Sequence, residues 1–247
     1  MSSAPKLRQV HEIFNPYNKS SVNPFPNWFQ YIHGNCPPDY LDKVESYVEQ
    51  EVGTGHICLK DPISVMSIEW LANKLDANVV FCIRHPAAFA GSLKVAGWKH
   101  QFENFLNQPE LMERFPSNYR DLVREYVQRK RDIVDQAILL WNIIYDQINV
   151  YRDLNRLDWH FVRHEDLSRN PTENFKQLFE KLGLTFAEKS QQFIDKTTNA
   201  KGYASNARNS LENIHTWKKR LTPEEIERVK SGTESVWRLY YNDDDWA

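Results

Sequence analysis

Cysteine is scarce in this chain of 247 residues. Cys36, Cys58 and Cys82 are the whole supply, and no two of them make a CxxC pair. That speaks against a disulfide framework and for a reducing compartment. Cys58 and Cys82 fall in predicted strands and read as buried free thiols. Long apolar runs are missing, so no stretch approaches a membrane span, and the opening MSSAPKLRQVHEIF lacks the apolar core of a signal peptide. The expected location is the cytoplasm. An excess of one charge is missing as well. Lys and Arg number 31 against 33 Asp and Glu, a net of -2, which argues against general binding of nucleic acid or of anionic membranes. Glycine is thin too, at 8 residues, and the GTG at 53–55 precedes a predicted strand rather than following one. No His/Cys/Asp/Glu spacing suggests a metal site.

What is present is 41% hydrophobic and 13% aromatic, enough for a sizeable core in one large α/β domain or two small ones. The organising stretch is NVVFCIRHPAAFAGSLKVAGW, from Asn78 to Trp98. Val79 to Ile83 is a short apolar, β-branched and aromatic run, the pattern of a strand buried on both faces. Pro86 suits the first position of a helix, which ends near Gly97. Arg84 therefore stands where a strand ends, and Ser92 about two turns into the next helix. Helix N-termini at the carboxyl ends of strands offer unpaired N–H groups to anions, and a guanidinium can grip phosphate with a planar fork of donors.

The remaining chain supplies the setting. A short strand is expected from Arg8 to Ile13, then a proline- and aromatic-rich loop over 15–38 of the kind that lines a binding site. Asp39–Gln50 and Ser64–Leu75 read as helices around a strand at His56–Leu59, which ends at Lys60. Strand, helix, strand implies parallel pairing through a right-handed crossover. Residues 99–131 form a helical insert. Asp132–Leu154 is the longest apolar helix, and its Trp141 and Tyr145 read as core. A strand at Trp159–Val162 leads into RHEDL, and Asn170-Pro171 opens a helix that stops at Gly183. Thr222, Pro223 and Glu225 spell a capping box for a last helix running to about Tyr240.

The segments LKDP, VVFCIRHPAAFAGSL, FVRHEDLSRNPTENFKQLFEKLGL and IHTWKKRLTPEEI, in that order, resemble the sulfotransferase family that uses 3′-phosphoadenosine 5′-phosphosulfate (PAPS) and releases adenosine 3′,5′-bisphosphate (PAP). The likeness runs from about His11 to the C-terminus. It implies a P-loop NTPase-like, three-layer α/β fold, a parallel sheet flanked by helices, in a single domain over 1–247. It implies transfer of a sulfonyl group to a hydroxyl or amine of a small-molecule or carbohydrate acceptor, bounded by the 15–38 loop and the 99–131 insert. At matching positions, Arg84 and Ser92 would hold the 3′-phosphate, His164 would lie near the adenine, and Arg208 with Trp217, Lys218 and Lys219 would close over both. Lys60 would neutralise charge at the bridging oxygen. Some family members place a histidine base two residues after that lysine, where this chain has Pro62. Glu12 is the candidate base here, with His11 its runner-up.

One departure stands out. The family's first strand is followed by a glycine- and serine/threonine-rich loop that cradles the 5′-phosphosulfate on backbone N–H groups. The chain has no such loop, and Met1 falls inside the helix expected to follow it, so the N-terminal strand reads as missing. A sheet edge exposed in this way would favour pairing with a second copy. A truncated nucleotide-binding relic, or a P-loop-type kinase that lost its phosphate loop, are the alternatives that the residues leave open.

Overall fold

In a computed structural model, residues 7–11, 27–33, 42, 56–198 and 210–247 are described. They form a helix-rich α/β structure with short parallel strands. In order come β1 (Leu7–His11), β2 (His56–Lys60), a 3-10 turn (Ser64–Ser67) running into α1 (Ile68–Leu75), β3 (Val79–Ile83) and α2 (Pro86–Ala96). The insert holds α3 (Glu103–Leu106), α4 (Pro109–Arg114) and α5 (Ser117–Gln128). Then follow α6 (Ile133–Asp153), β4 (Trp159–Arg163), α7 (His164–Arg169), α8 (Pro171–Lys181) and α9 (Glu188–Thr198). The C-terminal part holds α10 (Ser210–Ile214), α11 (Trp217–Arg220), α12 (Pro223–Gly232), α13 (Glu234–Trp237) and a 3-10 turn at Asp243–Trp246. The predicted helix at 39–50 lies almost wholly outside the described residues.

The strands pair differently from the crossover expected of them. β2 does not pair with β3; β1 pairs with β2 and β3 with β4, both in parallel, as separate two-stranded ladders among the described residues. The helix between β2 and β3 thus links two ladders rather than neighbours in one.

β3 is also covered on one face, not two. Val79, Phe81 and Ile83 are buried, whereas Val80 is half-buried and Cys82 exposed. The reason is the load on the first face. Phe81 stacks on Phe161 at 4.9 Å, meets Trp159 edge-on at 5.4 Å and stacks on Tyr151 of α6 at 5.7 Å. Burying each such side chain contributes about 2 kcal/mol. In the parallel register the other row pairs Val80 with His160 and Cys82 with Val162, and it carries no comparable cover among the described residues. Cys82 is thus exposed to solvent on this row rather than enclosed, although the surrounding protein still pushes its thiol pKa up to about 11 by desolvation, and Cys58 is half-buried.

The last helix stops earlier than its sequence pattern suggests. Its capping box forms as read, with Thr222 Oγ1 accepting from the Glu225 N–H and Glu225 accepting from the Thr222 N–H. It ends at Gly232, short of Tyr240. The Gly232 carbonyl accepts from Asn142 Nδ2 at 2.8 Å, and a methyl at Gly232 would meet Ile138 at 2.9 Å, so α12 packs closely on α6 where it ends. No described helix is long and apolar enough to cross a membrane.

Candidate functional site

The site grows from the corner between β3 and α2. His85 is the N-cap of α2: its backbone is extended, and its Nδ1 accepts the Ala87 N–H at 3.3 Å, with Pro86 in the first helical position. The helix closes at Gly97 in the left-handed region (φ 66), where the Gly97 and Trp98 N–H groups return to the Leu93 carbonyl, an end that favours glycine. α6 fixes the backbone just before the cap. The Arg84 N–H donates to the Tyr145 hydroxyl at 3.1 Å, and Trp141 Nε1 donates to the Arg84 carbonyl at 3.0 Å. Trp141 and Tyr145 are core residues as read, but their polar ends have a job that apolar periodicity does not reveal. They hold residue 84 in place.

Strand alternation then sorts the side chains at the corner. The covered row continues through Ile83 to His85 on one strand and through Arg163 to Glu165 on the other. His85 is 2% exposed. Its ring stacks on Trp217 at 5.3 Å and meets Trp246 and Tyr241 edge-on at 4.3 and 5.1 Å. Burial in this aromatic box lowers its pKa to about 3, so it is neutral. Glu165 is equally buried, and its carboxylate accepts from the His85 N–H at 3.0 Å and the Tyr241 hydroxyl at 2.9 Å. Arg163 forks onto Asp245 at 2.8 and 3.2 Å, tying the end of β4 to the C-terminal turn.

The open row continues to Arg84 and His164. Arg84 makes no ion pair among the described residues, and its Nε is buried without a hydrogen-bond partner. Glu165, the nearest buried carboxylate in sequence, is engaged by His85 and Tyr241 instead. Burial, and then the Arg84 charge, lower the pKa of His164 against the opposing pull of Glu165. A neutral His164 can both donate and accept a hydrogen bond.

Ser92 lies farther along α2. Its Oγ accepts from Arg220 Nη1 at 3.2 Å. Arg220 ends α11, the turn that begins with Trp217. Lys218 lies 5.4 Å from the Trp217 ring centroid, and both Lys218 and Lys219 are exposed. The Trp217 indole is 2% exposed and has His85 against its face, so this ring is a structural anchor in the described state. His215, just before the turn, has its pKa lowered by burial, then by Lys218 and Arg169. The exposed side of α11 is thus basic.

The structure brings Arg84 and His164 to one corner, and Trp217, Lys218 and Lys219 onto α11, which lies across α2 near Ser92. Lys60 is exposed at the end of the other ladder. His11 is described through its backbone alone, as the last residue of β1, and Glu12 and Arg208 lie outside the described residues. Sequence reading gave Arg220 no role of its own, although it stood inside the quoted WKKR run, because nothing in that run distinguishes the cation that turns toward α2.

The loop and the insert meet as well. Trp28 N–H donates to Asn104 Oδ1 at 2.9 Å, and Tyr31 N–H to Gln108 Oε1 at 2.7 Å. Phe29, at φ 55, is buried against His100 and Phe105, and Ser67 donates to the Gln30 carbonyl.

No protein-family model and no curated protein matches the chain. Among solved structures it is similar to the sulfotransferase domain from the curacin biosynthetic pathway, at 15% identity and a TM-score of 0.45, over 82% of this chain and 68% of that one. A likeness of that size carries no argument about activity.

Proposed function

We propose that the protein is a sulfotransferase that binds PAPS at the β3–α2 corner and passes its sulfonyl group to a hydroxyl or amine of a small-molecule or carbohydrate acceptor. The observation that carries this reading is Arg84. Its guanidinium has no carboxylate partner among the described residues, and its buried Nε lacks a hydrogen-bond partner. A cation held beside an open strand row calls for an anion, and a ribose 3′-phosphate offers the planar, bidentate match that guanidinium favours. Ser92 adds a neutral donor on α2, the helix that follows Arg84. His164 would contact the adenine, and Lys218, Lys219 and Arg208 would close the basic rim, with Trp217 anchoring the segment.

In the transfer, an acceptor oxygen or nitrogen loses its proton to a base as its bond to sulfur forms. The bond from sulfur to the 5′-phosphate oxygen breaks, and PAP leaves. Glu12 is the proposed base, with His11 second, and Lys60 would face the negative charge that builds on the bridging oxygen.

Calorimetric titration tests the reading. Preference for PAP over ATP, lost in Arg84→Ala, is the expected result. Equal or tighter binding of ATP would replace it with a kinase, and absence of binding to either would leave a relic.

A further inference from the structure

Residues 27–33 are held on the 99–131 insert by two side-chain amides and one ring. Asn104 Oδ1 accepts the Trp28 N–H at 2.9 Å, and Gln108 Oε1 accepts the Tyr31 N–H at 2.7 Å. Between these bonds Phe29 turns into the insert at φ 55, a backbone conformation that residues with a Cβ seldom adopt. Strain of that kind persists only where the surrounding contacts hold it. The contacts are a box of rings. His100 meets Phe29 edge-on at 5.6 Å and Phe102 edge-on at 4.9 Å, and lies 4.9 Å from Phe105. Its backbone is fixed, with the N–H on Gln136 Oε1 at 3.1 Å, but its Nε2 is buried without a hydrogen-bond partner.

A neutral imidazole fits such a box as one more ring. An imidazolium brings a full charge and two N–H donors, and the neighbouring elements offer them little. On the loop, Tyr31 stacks on His33 and lies under the Arg114 guanidinium. Around α3 come Phe102, Phe105 and an exposed Glu103, and Lys99 before them is exposed too. From α5, Tyr126 stands behind Phe102, with Arg131 over it and paired to Glu125. Asp132 and Asp135, at the start of α6, are taken up by Arg228. No charge offsets the cost of burial, which alone lowers the pKa of His100 to about 4.

We propose that residues 27–33 form a proton-released clasp: a neutral His100 keeps Phe29 seated on the insert, and a proton on His100 unseats it and frees the segment. The open form exposes an ordinary imidazole, which titrates near 6.5, so it takes the proton more readily than the closed form. Closure is therefore fully favoured above that pH and is lost as the pH falls toward 4. The opening is local and leaves α6 folded. It is a property of the loop and the insert, whatever the corner binds.

Amide hydrogen exchange reads the clasp, because the Trp28 and Tyr31 N–H groups are the ones released. After correction for the intrinsic pH dependence of exchange, their protection is expected to fall by up to about tenfold per pH unit between about 6 and 4, while the α6 amides keep theirs. His100→Phe keeps a ring in the box and removes the proton site, and should hold the protection level over that range. A second readout leaves residue 100 unchanged: in Phe29→Ala, the His100 ring followed by NMR should titrate about one unit or more closer to its ordinary value. Wild-type protection that stays level or rises in acid would mean that the aromatic faces hold the imidazolium as a cation, and would overturn the clasp. So would a fall shared by His100→Phe or by the α6 amides, or a His100 titration unmoved in Phe29→Ala.

Discussion

Arg84 and His85 are adjacent in sequence and opposite in environment. His85 belongs to the row that continues Val79, Phe81 and Ile83, and is enclosed by Trp217, Tyr241 and Trp246 above a fully engaged Glu165. Arg84 belongs to the row that continues Val80 and Cys82, and its Nε has no partner. The backs of both strands are spent on packing, so the fronts can carry unneutralised charge without the corner giving way. An arginine held by flexible surroundings would lose ordering entropy on every binding event; here Trp141 and Tyr145 fix its backbone before the ligand arrives.

If that division holds, changes behind the corner lower stability and changes in front lower affinity. Trp246→Ala, which opens the box around His85, is expected to cost about 3 kcal/mol in denaturant unfolding. A cost below about 1 kcal/mol would show that the rear wall is not structural. Arg84→Ala should weaken PAP binding about a hundredfold, or about 2.7 kcal/mol, yet leave the melting temperature within a few degrees. A large fall in melting temperature would erase the distinction between front and back.

The pH dependence sharpens the same contrast. The folded-state pKa of His85 is depressed to about 3, so the unfolded chain binds its proton more readily once the pH falls below about 6.5. Its contribution is present above that pH and is lost as the pH falls toward 3, at no more than about 1.4 kcal/mol per unit. His100, buried and lowered to about 4, adds a contribution of the same sign. His85→Asn puts a capping oxygen in place of Nδ1 but removes the titrating ring, and should flatten the slope of stability against pH between 4 and 6 by about one proton. An unaltered slope would place the titrating group elsewhere. The smallest effect is expected on the open row, where Cys82→Ser should shift stability by less than about 0.5 kcal/mol. A loss typical of a core position would mean that this row is covered after all.

Much of the corner was legible in the sequence. The β-branched and aromatic run gave the β3 bounds, Pro86 gave the helix start and Gly97 its end, because each reports on local backbone preference. The Thr222 capping box was legible for the same reason. Strand partners were not. Apolar runs announce strands but do not say which lie side by side, so β2 was matched with β3 when its neighbour is β1. An almost unbroken apolar run likewise concealed which face of β3 would be covered, since that depends on Tyr151 and Phe161, far away in the chain. The direction of Arg220 was not legible because the placement of one cation among three depends on Gly91 beneath it, a tertiary fact. Glu12 and Arg208 stay as sequence expectations.

The division into two ladders bears on stiffness. Lys60 ends one ladder and Arg84 follows the other, and no backbone ladder joins them among the described residues. Their separation is instead set by α1, by the Ser64–Ser67 turn and by contacts such as the Tyr151 hydroxyl on the Val65 carbonyl at 2.9 Å. Side-chain packing yields more readily than a hydrogen-bonded sheet. In the proposed site, the span between Arg84 and Lys60 would therefore be set by packing rather than by one continuous sheet, and acceptors of different bulk could be accommodated along it.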